Sequence, residues 1–112
     1  MPRLFLALAL VLAPAAALAQ AAYVPVAGAQ HALSVATLKA LTVPTGANYA
    51  VVCASGATVY TSTDPTFTPT TSSGQPLASG SCVSLVGAAE IANFRAIGTG
   101  ATLDVEYHQA TH

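Results

Sequence analysis

Hydrophobic positions along the chain fall into two regimes. Residues 4–12 are an unbroken apolar run that Pro14 closes, whereas from His31 onward short apolar and Thr-rich runs are separated by Gly, Pro and Asn. Runs of the second kind are strands joined by turns. The clearest is residues 102–108, where Leu103, Val105 and Tyr107 share one face and Thr102, Asp104, Glu106 and His108 the other. Residues 33–43 have a mixed period: Leu33 and Val35 alternate as on a strand, Leu38 and Leu41 are three apart, and a short helical turn fits as well as a strand. After a turn at 44–46, residues 47–54 form a continuous apolar stretch of the kind covered on both faces.

Ser55-Gly56 reads as a hairpin turn leading into a partner strand at 57–63. Asp64-Pro65 stops that strand, because Pro cannot donate to a ladder and Asp initiates turns. Residues 64–75, with Pro65 and Pro69, make the longest loop. A further strand spans 81–86, residues 90–97 supply Ile91, Phe94 and Ile97, and Gly98-Thr99-Gly100 turns the chain into the last strand. The pattern predicts an all-β fold, a small antiparallel β-sandwich or barrel of six to seven short strands. Its expected core is Leu41, Tyr49, Val51, Val59, Leu85, Ile91, Phe94, Ile97, Leu103, Val105 and Tyr107.

The opening regime changes the picture of where the protein works. Arg3, the apolar run, Pro14 and the small residues ending in Ala17-Leu18-Ala19 have the zones of a signal peptide over residues 1–19, with cleavage after Ala19. The run is shorter than the roughly 20 residues needed to span a bilayer. Cleavage leaves roughly 90 residues, one domain's worth: an Ala-rich, flexible or peripheral entry segment at 20–30 and a single β domain at 31–112. The expected location is exported, periplasmic or extracellular. There the simplest use of the two cysteines, Cys53 and Cys82, is a disulfide.

Charge narrows the partners. Beyond the signal only Lys39 and Arg95 face Asp64, Glu90, Asp104 and Glu106. Nucleic acid and anionic membranes are bound by clusters of Lys and Arg, which this chain lacks, so neither is expected. No Gly-x-Ser-x-Gly elbow marks a hydrolase, and the four carboxylates, of which only Asp104 and Glu106 are near in sequence, suggest no glycosidase pair. No catalytic residue and no cofactor is expected, and the protein is read as not an enzyme. Asp104, Glu106 and His108, with His112 beyond them, are candidate metal ligands because carboxylate and imidazole both bind zinc or copper. The simpler reading of that row is a solvated edge face that discourages sheet-to-sheet pairing. His31 reads as a surface or turn residue, and Gly98-Thr99-Gly100, without a third Gly and a following helix, as a turn rather than a phosphate loop.

One set of elements has a familiar order: Leu41-Thr42-Val43-Pro44-Thr45-Gly46-Ala47, Ala50-Val51-Val52, Gly56-Ala57-Thr58-Val59, Pro76-Leu77, Phe94-Arg95-Ala96-Ile97 and Ala101-Thr102-Leu103-Asp104-Val105. Over residues 41–107 it resembles small β-rich virion proteins, head- or tail-associated, of tailed bacteriophages and prophages. That resemblance implies a particle-associated structural role and brings no site residues. The signal and the cysteine pair depart from it, since such particles assemble in a reducing cytoplasm. The expected function is a non-enzymatic structural or surface-interaction module, particle-associated or exported. It would form homo-oligomers or dock on a larger protein assembly through a face or edge near 81–86. The alternative is a periplasmic or secreted binding domain for a small ligand, sugar or metal.

Overall fold

The computed structural model describes residues 22–111; the signal-peptide reading of residues 1–19 and the candidate ligand His112 lie outside the described residues. In chain order the elements are β1 (Ala22–Ser34), β2 (Lys39–Ala40), β3 (Tyr49–Ser55), β4 (Val59–Ser62), β5 (Gln75–Leu77), β6 (Cys82–Val86), α1 (Ala88–Asn93), β7 (Arg95–Ile97) and β8 (Thr102–Thr111). They form two four-stranded antiparallel sheets, ordered β1-β8-β3-β6 and β2-β7-β4-β5. The fold is a small all-β sandwich. Its core lies between the sheets, where β8 contributes Leu103, Val105 and Tyr107, β3 contributes Ala50, Val52 and Ala54, and Val35, Val59, Leu85, Ile91 and Phe94 fill the middle. Fully burying a side chain the size of Val, Leu or Phe stabilises by about 1.5–3 kcal/mol, so these residues carry most of the fold.

Several expectations are corrected. The segment at 20–30 is not a flexible entry: from Ala22 it belongs to β1, which pairs with β8 from Ala22↔Thr111 to Ser34↔Thr102. An edge strand that faces mostly solvent is held by backbone bonds and needs no apolar period. The continuous run at 47–54 buries Ala50, Val52 and Ala54, whereas Tyr49 and Val51, expected in the core, point to the outer face and are half-buried, as is Ile97. The mixed segment at 33–43 ends β1, passes irregularly through 35–38 and gives β2 only two residues. Residues 88–93 are a short helix that enters β7 through Phe94.

The strand at 57–63 is not a hairpin partner of β3. Ser55-Gly56 carries the chain from one sheet to the other, and Gly98-Thr99-Gly100 carries it back from β7 to β8. The two crossings touch: a Cβ on Gly56, whose φ is +93°, would lie 2.7 Å from the Gly100 carbonyl oxygen. Only glycine fits such an approach in that conformation. The glycine turn at 98–100 thus has a structural use.

Candidate functional site

β8 is an interior strand, flanked by β1 and β3, so Asp104, Glu106 and His108 do not sit on a sheet edge as expected. They line the outer face of the first sheet, where each has a different surrounding. Asp104 Oδ1 accepts the Ala32 amide at 2.9 Å and lies 3.4 Å from His31 Nδ1. Ala32 has a φ of 53° and falls where the β1–β8 register shifts between Gln30 and Leu33. A carboxylate accepting this N–H holds a bulged, left-handed residue in place. His31 is therefore drawn to β8 rather than being only a turn residue. Among the described residues no group of three or more His, Cys, Asp and Glu side chains is arranged to hold a metal ion.

His108 belongs to a row of another character. Pro25, His108, Tyr49 and Val86 lie side by side in register across β1, β8, β3 and β6. Tyr23 packs on Tyr49 with ring centroids 4.7 Å apart, and Tyr49 meets His108 edge-on at 6.0 Å. The Tyr49 hydroxyl hydrogen-bonds Ser84 Oγ at 2.9 Å. His108 Nδ1 is buried without a hydrogen-bond partner among the described residues. Tyr23 is 54% exposed and Val86 67% exposed, so an apolar ridge crosses this face with both ends open to solvent. Sequence reading missed Tyr23 because β1 has no period to give it a face.

At the β6 end of the ridge the sheet has an edge. Cys53 and Cys82, directly opposite each other on β3 and β6, form the expected disulfide, with Cα atoms 4.0 Å apart. The Ala54 amide bonds the Ser81 carbonyl and the Gly87 amide bonds the Asn48 carbonyl. In an antiparallel ladder the bonded pairs alternate, so Val83 and Leu85 also bond toward β3, while the backbone groups of Cys82, Ser84 and Val86 point away from it. One outward donor is occupied: the Val86 amide bonds Glu90 Oε1 at 3.3 Å. Glu90 is in the first turn of α1, three residues after its N-cap Gly87, where a Glu ordinarily reaches back to the N-cap amide. Here that amide is already bonded to Asn48, and the carboxylate takes the one before it. The spacing by itself points to the Gly87 amide, so no sequence signal marks the bond to Val86.

Between the open edges of the two sheets lies a cavity of ≈ 270 Å³, lined by Thr61, Ser62, Gln75, Leu77, Leu85, Glu90 and Phe94 among others. Beside it Arg95 pins the long loop: its guanidinium donates to the Asp64 carbonyl at 3.0 Å, to Thr68 Oγ1 at 3.1 Å and to the Phe67 carbonyl. Asp64 Oδ1 accepts both the Thr66 amide at 2.9 Å and the Thr66 hydroxyl at 2.7 Å. These two bonds, with Arg95 nearby, hold the Asp64 carboxyl below its ordinary pKa. A group whose folded pKa is depressed contributes stability above its unfolded value and loses it as pH falls through the folded one. The loop is therefore expected to stay closed through mildly acidic pH and to loosen only below the usual carboxylate range. In an NMR titration the Thr66 amide should move with a midpoint below that of an ordinary Asp; a midpoint at or above it contradicts the assignment.

No described helix is long and apolar enough to cross a membrane. No protein family, curated protein or solved structure matches the chain, so the surfaces themselves carry the functional reading.

Proposed function

We propose that this protein is a non-enzymatic structural or surface-interaction module that works by association, through the outer face and the β6 edge of its first sheet. The observation that carries the reading is the coincidence there of an exposed apolar ridge, from Tyr23 to Val86, with an uncharged edge strand. Apolar surface left in water favours association, and few formal charges keep copies apart. The disulfide is compatible with an oxidising compartment, which together with the signal-like opening supports an exported setting. The resemblance to virion proteins supports a particle surface as the other setting.

Light scattering at micromolar concentration, with and without candidate assemblies such as phage particles or cell-envelope complexes, tests the reading. Self-association or docking is expected, weakened by Tyr23→Ser with Val86→Ser. The second reading, a small-ligand binding domain, is favoured by the cavity beside Glu90 and Phe94. A strict monomer that binds no assembly but takes a sugar or other small ligand tightly would replace the first reading with the second.

A further inference from the structure

Resting on the association reading, we propose that the partner at the edge is a second copy of this chain, which adds its own β6 antiparallel across a two-fold axis at Ser84, and that Glu90 guards this edge by holding the Val86 amide. Four strands end the two sheets among the described residues, and three of them are poor templates. β1 contains Pro25 and two register breaks, β2 has two residues, and β5 has three with Pro76 in the middle. Proline, bulges and shortness are the devices that blunt sheet edges. β6 has none of them: it pairs with β3 in unbroken register from Cys82 to Val86 and carries no charge.

The edge is self-complementary. Its outward backbone groups belong to Cys82, Ser84 and Val86, symmetric about the middle residue. Antiparallel pairing about Ser84 lets the two Ser84 residues exchange both of their hydrogen bonds and sets Cys82 of each copy against Val86 of the other. On the inner side it brings Val83 opposite Leu85 of the second copy. Val83 is on the inner side yet is 36% exposed in the isolated chain, where with Leu77, Leu85 and Glu90 it lines the cavity that opens beside the edge. A second β6 sets a Leu85 beside it. Two uncharged strands meet without repulsion, and the products are an eight-stranded sheet and one continuous apolar face. Glu90 opposes the step, since the Val86 amide must leave its carboxylate before it can bond the second copy.

Because Ser84 would face itself, charge placed there gives a direct test: its side chain is exposed and gives up one hydrogen bond, from the Tyr49 hydroxyl, and a mixture of opposite charges, which loses that bond in both copies, separates charge from packing. By sedimentation on the oxidised protein, S84K alone and S84E alone should each raise the dimer Kd by about twofold to fivefold, through like charges set directly opposite. An equimolar mixture of the two should restore wild-type association or better. E90A, which frees the Val86 amide, should tighten the dimer by about fivefold. Association that is indifferent to S84K and S84E, or a mixture no tighter than either variant, overturns the edge dimer and leaves the wider reading standing on the outer face. Wild type and E90A both monomeric at every concentration also overturn it, and the wider reading falls too only if scattering with assemblies is equally blank.

Discussion

Replacing both cysteines, Cys53→Ala with Cys82→Ala, is expected to lower unfolding stability by about 3–4 kcal/mol, the loop-closure value for a bridge of this span across a sequence separation of 29. Domains of this size hold only about 5–15 kcal/mol in total, so the loss is a large fraction. It should also be uneven. Among the described residues β6 has a neighbouring strand on one side only, β3, and the bridge ties the first residue of β6 to that neighbour. Without it, amide exchange should accelerate first over 82–87, and self-association should weaken along with it if β6 is the template. Denaturant unfolding of oxidised, reduced and double-Ala protein checks the magnitude. A change under about 1 kcal/mol would mean that the unfolded chain is already constrained in this region.

The largest single-residue effect is expected at Tyr107. Its ring is 1% exposed on the inner face of β8, opposite Ala50 of β3 and Val26 of β1, and its hydroxyl donates to Gln30 Oε1 at 2.8 Å. Burial raises its phenol pKa still further above neutral pH. Gln30 Oε1 also accepts the Thr42 amide at 3.3 Å, which makes the tyrosine the centre of a link between β1, β8 and the chain after β2. Tyr107→Ala removes the ring and should cost about 3–5 kcal/mol, since the alanines beside it cannot move in to fill the space. Tyr107→Phe keeps the ring and loses one hydrogen bond, about 1 kcal/mol. Thermal unfolding of the pair separates packing from hydrogen bonding: a Tm drop of about 15 °C or more for the alanine variant and roughly 4–8 °C for the phenylalanine variant. Equal drops would show that the Gln30 link, not the ring, holds this end of the sandwich.

What the sequence made legible were the features with local contrast. β8 alternates apolar with polar residues, and the structure buries Leu103, Val105 and Tyr107 as that alternation requires. The two cysteines needed only an oxidising setting to be paired. β3 was harder because from Tyr49 to Ala54 it has no charged or amide residue to mark the outside, so Ala50, Val52 and Ala54 could not be told from Tyr49 and Val51 as the buried set. Large side chains drew the expectation inward, whereas small ones fill the interior there and the tyrosine goes to the ridge. β1 left no signal before Leu33, since exposure along most of its length and the shift at Ala32 erase any period.

The candidate surface was half legible. The segment at 81–86 was read as the place of contact, and β6 does end its sheet, yet nothing local says whether a strand is central or terminal. The row of Asp104, Glu106 and His108 shows the converse: it shares a face as the alternation says, but β1 covers the side that was read as an edge. Contacts between residues far apart in sequence, Asp104 with Ala32 and Tyr23 with Tyr49, depend on which strands become neighbours. That is decided by the whole sandwich and not by any one segment.

Sedimentation velocity on the oxidised protein, from low micromolar to several hundred micromolar, tests most directly whether this chain works by association. The weight-average mass should rise with concentration toward that of a dimer or higher species, and the rise should be smaller for the Tyr23→Ser, Val86→Ser variant. A single monomeric boundary across the whole range, unchanged in that variant and unaffected by candidate assemblies, would contradict it.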